Sequence, residues 1–136
     1  MKTLLLSLIS ISILAAIGCV TKIDPYQEDI SSVELLQKAY EATDVKNHTL
    51  AISYYEAYLE RFPDDIKGCL WAKYEIAFLY HKKGNDKKAI ELFTVLLEDY
   101  ENDPRAELPQ APKVLAEKVM KNILDEKEKE EAAETE

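Results

Sequence analysis

The sequence predicts an all-α fold: two consecutive helix hairpins forming a short solenoid, closed by a fifth, capping helix. Three observations predict it. Glycine and proline are scarce, at 3 and 5 of 136 residues, while charged residues make up 32% and include both signs. Apolar residues recur at helical spacing in five separate segments. One of those segments returns at an offset of 38 positions. A chain of this length makes one small domain.

Residues 1–18 do not belong to that domain. They open with one cation, Lys2, and continue through the apolar run Leu4 to Leu14, the pattern of a signal peptide. The run is too short to span a bilayer core, which takes roughly 20 apolar residues. It ends in Ala16-Ile17-Gly18-Cys19, which resembles a bacterial lipobox, and the resemblance implies that Cys19 is the lipidation site. The alternatives are an ordinary signal peptide with a chance cysteine, or an uncleaved anchor. On the lipobox reading, two or three acyl chains hold the protein on a membrane, and residues 19–30 form a lipidated tether. Lipidation also leaves Cys69 without a disulfide partner, as a small apolar side chain rather than a reactive thiol.

The helical domain spans 31–124. Ser31-Ser32-Val33-Glu34 is a capping box that opens the first helix, with Val33, Leu36, Ala39 and Tyr40 as its apolar positions, running to about Asp44. Lys46-Asn47-His48 makes a turn. The second helix carries Leu50 to Leu59 and stops before Pro63. Asp64 or Asp65 caps the third, over 66–82, which Gly84-Asn85-Asp86 ends. The fourth covers 87–100. After Pro109 and Pro112 the fifth starts at Lys113, with Val114, Leu115, Val119, Ile123 and Leu124 on one side. The charge run beyond it, 125–136, is expected to be a solvated extension that frays into a disordered tail.

The repeat pairs Ala51 with Ala89, Ile52 with Ile90, Tyr55 with Phe93, Leu59 with Leu97, and Phe62 with Tyr100. A small residue followed four later by an aromatic ring suits a helix hairpin. The alanine lets two helices approach, and the ring fills the groove beside it. With Pro63 closing the first unit, and Ile76, Ala77 and Tyr80 in the packing positions of the third helix, the stretch 32–103 resembles the tetratricopeptide-repeat family. The resemblance implies about two such repeats. Tyr58 is large where the family has a small residue, and the spacing of 38 exceeds the family's, about 34. Four extra residues in the loop around Asp64 to Gly68 would account for the difference.

No catalytic constellation, metal-ligand spacing or phosphate-binding loop is visible, so neither enzyme activity nor a cofactor is expected. His48 and His81 read as surface or capping residues. The net charge of −9 argues against nucleic acid as a partner. Function is expected on a surface instead. Trp71, Tyr74 and Phe78 form one aromatic stripe at i, i+3 and i+7 of the third helix. The repeat resemblance implies that this stripe, with Tyr40 one repeat earlier, lines a groove for a partner peptide, although the same stripe is also a seat for the apolar side of helix five. The phrases at 51–63 and 72–80 resemble the amino-terminal half of the BamD-type lipoproteins of the outer-membrane β-barrel assembly machine. That resemblance implies an interaction scaffold on the periplasmic face of the outer membrane. Its partners would be other envelope proteins, the assembly machine and unfolded barrel clients. Val20 after the cysteine, where aspartate would favour inner-membrane retention, points to the same membrane. The competing expectation is a periplasmic repeat lipoprotein associated with a ligand or a transporter.

Overall fold

The computed structural model describes residues 29–103 and 107–134. The signal segment, Cys19 and most of the tether lie outside the described residues. The described residues form five helices and no strand: α1 (Ser32–Asp44), α2 (His48–Arg61), α3 (Ile66–Lys82), α4 (Asp86–Asn102) and α5 (Gln110–Glu134). Each helix packs on the next in the chain, and α5 also reaches α3, giving an all-α solenoid of helix hairpins.

The two hairpins are built alike at their turns. α1 ends in a Schellman motif, with Asn47 N–H donating to the Ala42 carbonyl (2.8 Å) and Lys46 N–H to the Thr43 carbonyl (2.9 Å). α3 ends in the same way, through Asn85 N–H to Tyr80 (2.9 Å) and Gly84 N–H to His81 (2.8 Å). The left-handed position is Lys46 in the first turn, at φ 58°, and Gly84 in the second, at φ 75°. Asn47 and Asn85 then cap α2 and α4, accepting from Leu50 N–H and Lys88 N–H. One asparagine thus closes each hairpin's first helix and opens its second.

These caps relocate the four extra residues of the repeat. Ser31 caps α1 and Asp65 caps α3, an offset of 34, whereas Asn47 and Asn85 stand 38 apart. The expected longer loop is therefore not the cause. α3 has 17 residues against 13 in α1, so the insertion is one added helical turn.

α3 carries two cores. Toward α1 and α2 it contributes Ala72, Ile76 and Leu79, which pack with Leu35, Ala39, Ala51 and Tyr55. Toward α4 and α5 it contributes Leu70, Tyr74 and Ala77, which pack with Ala89, Phe93, Leu96 and Ile123. Tyr80 is partly buried against both. The expected packing residues Ala51, Tyr55, Ile76, Ala77, Ala89 and Phe93 are all buried.

Two helix faces differ from expectation. α1 buries Leu35, Ala39 and Ala42, while Val33 is 73% exposed and Tyr40 50%. α5 buries Pro112, Ala116 and Ile123, and leaves Val114, Leu115 and Leu124 exposed. The reason is the same in both: alanines let the helix axes close up, so the line containing them faces inward and the bulkier residues flank it. α5 also starts at Gln110 rather than Lys113, because Pro112 in the first turn has no amide that the helix needs. It runs on through the charged segment to Glu134. No helix among the described residues is long and apolar enough to cross a membrane.

Candidate functional site

Of the four residues expected to line a groove, the structure separates one from three. Tyr74 is buried, stacks on Phe78 (centroids 5.9 Å, 10° between planes) and meets Trp71 edge-on at 6.1 Å. Its ring also lies 5.9 Å from Phe93 of α4. Trp71 and Phe78 are half-buried against the cluster that includes Ala116 and Ile123 of α5. Such aromatic pairs add about 0.5–1.5 kcal/mol each beyond their buried area. The stripe is therefore packed in the second core, and Tyr40 alone stays largely in solvent.

Tyr40 belongs to a strip on the outer side of α1. Val33, Leu36 and Tyr40 line a shallow depression rimmed by Gln37, Glu41 and Asp44. The offset of 38 that pairs Ala51 with Ala89 also pairs Val33 with Trp71, Leu36 with Tyr74 and Tyr40 with Phe78. The strip on α1 is thus the register equivalent of the stripe whose core α5 closes, and no described helix packs over it.

The backbones of α1 and α3 do not approach each other. The Tyr40 ring meets Tyr55 of α2 edge-on, at 6.1 Å and 86°. The Tyr55 hydroxyl is buried beside the Thr43 hydroxyl and makes no hydrogen bond of good geometry among the described residues. The neighbouring Thr43 hydroxyl donates instead to the Ala39 carbonyl, at 2.9 Å. Burial, and then the charge of Glu75, push the Tyr55 phenol far above its ordinary range. Glu75 itself, on α3, is half-buried, and desolvation raises its carboxyl above the usual value. Sequence reasoning missed Glu75. Its signal was a single carboxylate inside the otherwise apolar run Tyr74-Glu75-Ile76-Ala77-Phe78-Leu79-Tyr80.

A separate cavity of about 470 Å³ opens where α2, α3 and α4 meet, lined by Leu59, Ile66, Cys69 and Leu70, with the Lys73–Asp99 ion pair (2.6 Å) at its side. Cys69 is half-buried, its thiol against the Phe62 carbonyl at 3.3 Å, and burial pushes its pKa up. That suits a packing residue rather than a nucleophile. His48 begins α2, and His81 at the end of α3 pairs with Asp86 of α4 at 2.6 Å. Among the described residues no group of three or more metal-ligating side chains gathers.

No family model matches the chain, and no solved structure matches it. The chain is similar to a protein of Treponema pallidum (strain Nichols) described as uncharacterized, with 31% identity over 91 residues. The match covers 64% of this chain and 36% of that relative, so it spans little more than a third of the relative's length.

Proposed function

We propose that this chain is a lipid-anchored scaffold of the cell envelope that holds partner proteins on its helical hairpins, at the periplasmic face of the outer membrane, in the assembly of β-barrel proteins. One observation carries the scaffold reading. The α1 strip of Val33, Leu36 and Tyr40 repeats in register the aromatic stripe of α3, yet α5 closes over the α3 stripe's core while Val33 and Tyr40 face solvent on either side of the partly buried Leu36. Exposed apolar strips with a polar rim are where partners dock, and tyrosine is a favoured anchor there. The lipobox-like Ala16-Ile17-Gly18-Cys19 supports the anchor, and the resemblance of 51–63 and 72–80 to BamD-type lipoproteins supports the assembly role.

The cavity beside Leu59 and Leu70 favours a second reading, a ligand- or transporter-associated lipoprotein, because its size is within the range of small-molecule sites. It is half-open and does not lie behind Trp71 and Tyr74. Affinity capture from detergent-solubilised membranes separates the two. Recovery of a large β-barrel subunit supports the assembly role, and recovery of transporter components alone contradicts it. A Cys19→Ala variant is expected to leave the membrane fraction; if it stays bound, the lipid anchor is wrong.

A further inference from the structure

We propose that the cavity where α2, α3 and α4 meet is a binding site for a free apolar α-amino acid, whose side chain lies against the aliphatic wall while its ammonium and carboxylate groups meet Asp99 and Lys73. The proposal supplies the ligand of the second, ligand-associated reading and rests on that reading for its setting; it is independent of the scaffold.

The cavity has two chemically distinct ends. Its wall is aliphatic, with Ile66 and Leu70 of α3 facing Leu59 of α2 and Leu108 of the segment before α5. That segment is held in place by the Tyr100 hydroxyl, which donates to the Pro109 carbonyl at 2.6 Å. Ile66, Leu70 and Lys73 stand at i, i+4 and i+7, so one face of α3 supplies both the apolar wall and the cation at the other end. There Lys73 meets Asp99 of α4 at 2.6 Å, with both side chains 36% exposed and so within a ligand's reach. Among the described residues neither side chain has another hydrogen bond or ion pair. The ammonium therefore keeps donors to spare, and Asp99 keeps its second oxygen. A lone carboxylate on a ligand would be drawn to Lys73 and repelled by Asp99, and a lone ammonium the reverse. A group carrying both charges satisfies both and leaves the ion pair intact, through charge-assisted hydrogen bonds. The spacing narrows the class further. An ammonium and a carboxylate on one α-carbon lie about 3 Å apart, whereas each further residue of an extended peptide separates the two ends by about 3.5 Å more. Only the first matches two protein charges that touch each other. The volume, about 470 Å³, holds such a molecule with its side chain against the wall.

The test titrates the full chain, in lipid nanodiscs because detergent would compete for an apolar cavity, with leucine, methionine and phenylalanine by calorimetry. The ligand is placed by the rate at which methyl methanethiosulfonate modifies Cys69, which lines the cavity, read by mass spectrometry of the Cys69 peptide. That readout holds whether or not Cys19 carries lipid. Saturable binding of at least one of the three is expected, with Cys69 protected as the site fills. The N-acetyl derivative lacks the ammonium and the amide derivative lacks the carboxylate, and each should bind about tenfold more weakly. Serine, without the apolar chain, should not bind. Lys73→Gln and Asp99→Asn should weaken binding similarly with little change in melting temperature, since a half-exposed ion pair contributes little to stability. No saturable binding by any of the three, binding that leaves Cys69 unprotected, or equal affinity for either derivative overturns the proposal, and the derivatives decide it even if a variant unfolds. Membrane capture tests the scaffold separately. A chain that binds the amino acid and recovers a β-barrel subunit but no transporter component keeps the site and loses the ligand-associated reading.

Discussion

Asp65, the cap of α3, and Glu75, ten positions further along and inside that helix, respond to acid in opposite senses. The Asp65 carboxylate accepts from the Tyr58 hydroxyl at 2.6 Å and from the Gly68 amide at 3.0 Å, and these bonds hold it below the usual carboxylate range. Its contribution to stability is therefore complete above the ordinary carboxylate pKa and is lost as pH falls through its lowered folded value. Glu75 is the reverse: burial raises its folded pKa, so its ionised form opposes folding at neutral pH, and protonation relieves that penalty. Asp65→Asn, which still caps the helix, should flatten the acid limb of a pH–stability curve. Glu75→Gln should raise the melting temperature at pH 7 more than at pH 4. The two left-handed turn residues give a second prediction. Lys46 has φ 58° where its counterpart is Gly84, so Lys46→Gly should stabilise by about 1 kcal/mol and Gly84→Ala should cost a similar amount in denaturant unfolding.

Between elements, the close approach of α2 and α3 rests on Gly68. A Cβ there would run into the Tyr58 hydroxyl and come within 2.7 Å of an Asp65 oxygen. Tyr58 is a large buried side chain on α2, and the glycine of the following helix makes room for it. Alanine is the better helix former by about 1 kcal/mol, yet overpacking costs about 1–3 kcal/mol, so Gly68→Ala should destabilise on balance. The loss should shrink in a Tyr58→Phe background, a coupling that a double-mutant cycle in urea measures. Much at this scale was legible in the sequence. Ser31 and Asp65 act as caps, Gly84 turns the second hairpin, and the small–aromatic pairs Ala51/Tyr55 and Ala89/Phe93 are buried as their spacing implies. Which face α1 and α5 bury was not legible, because hydrophobicity marks Val33, Val114 and Leu124 as strongly as Leu35 and Ile123. The alanines that admit a neighbour carry little hydrophobic signal. The added turn of α3 was hidden for a related reason: a repeat offset gives the length of an insertion and not its place. Glu75 was passed over because a carboxylate on a helix is ordinary until a neighbouring helix takes its water away.

Across the whole molecule, α3 is the shared wall of both cores, and α5 is the lid of the second. A chain ending at residue 109 would lose the Ala116 and Ile123 contacts and uncover Leu70, Phe93 and Leu96. It should bind the dye ANS and unfold at lower denaturant than the full chain, while a chain shortened only at 125 should not. The same arrangement separates the two register-related strips of the solenoid, the aromatic one on α3 packed in a core and the apolar one on α1 open. The scaffold account depends on that open strip being the one that meets a partner. Site-specific photocrosslinking in living cells tests this most directly, with the photoreactive residue at Val33 or Tyr40 and, as controls, at the exposed positions Glu60 and Lys118. The account predicts a discrete partner adduct from Val33 and Tyr40 and none from the controls. Adducts absent at both α1 positions, or equally abundant at all four, would contradict it.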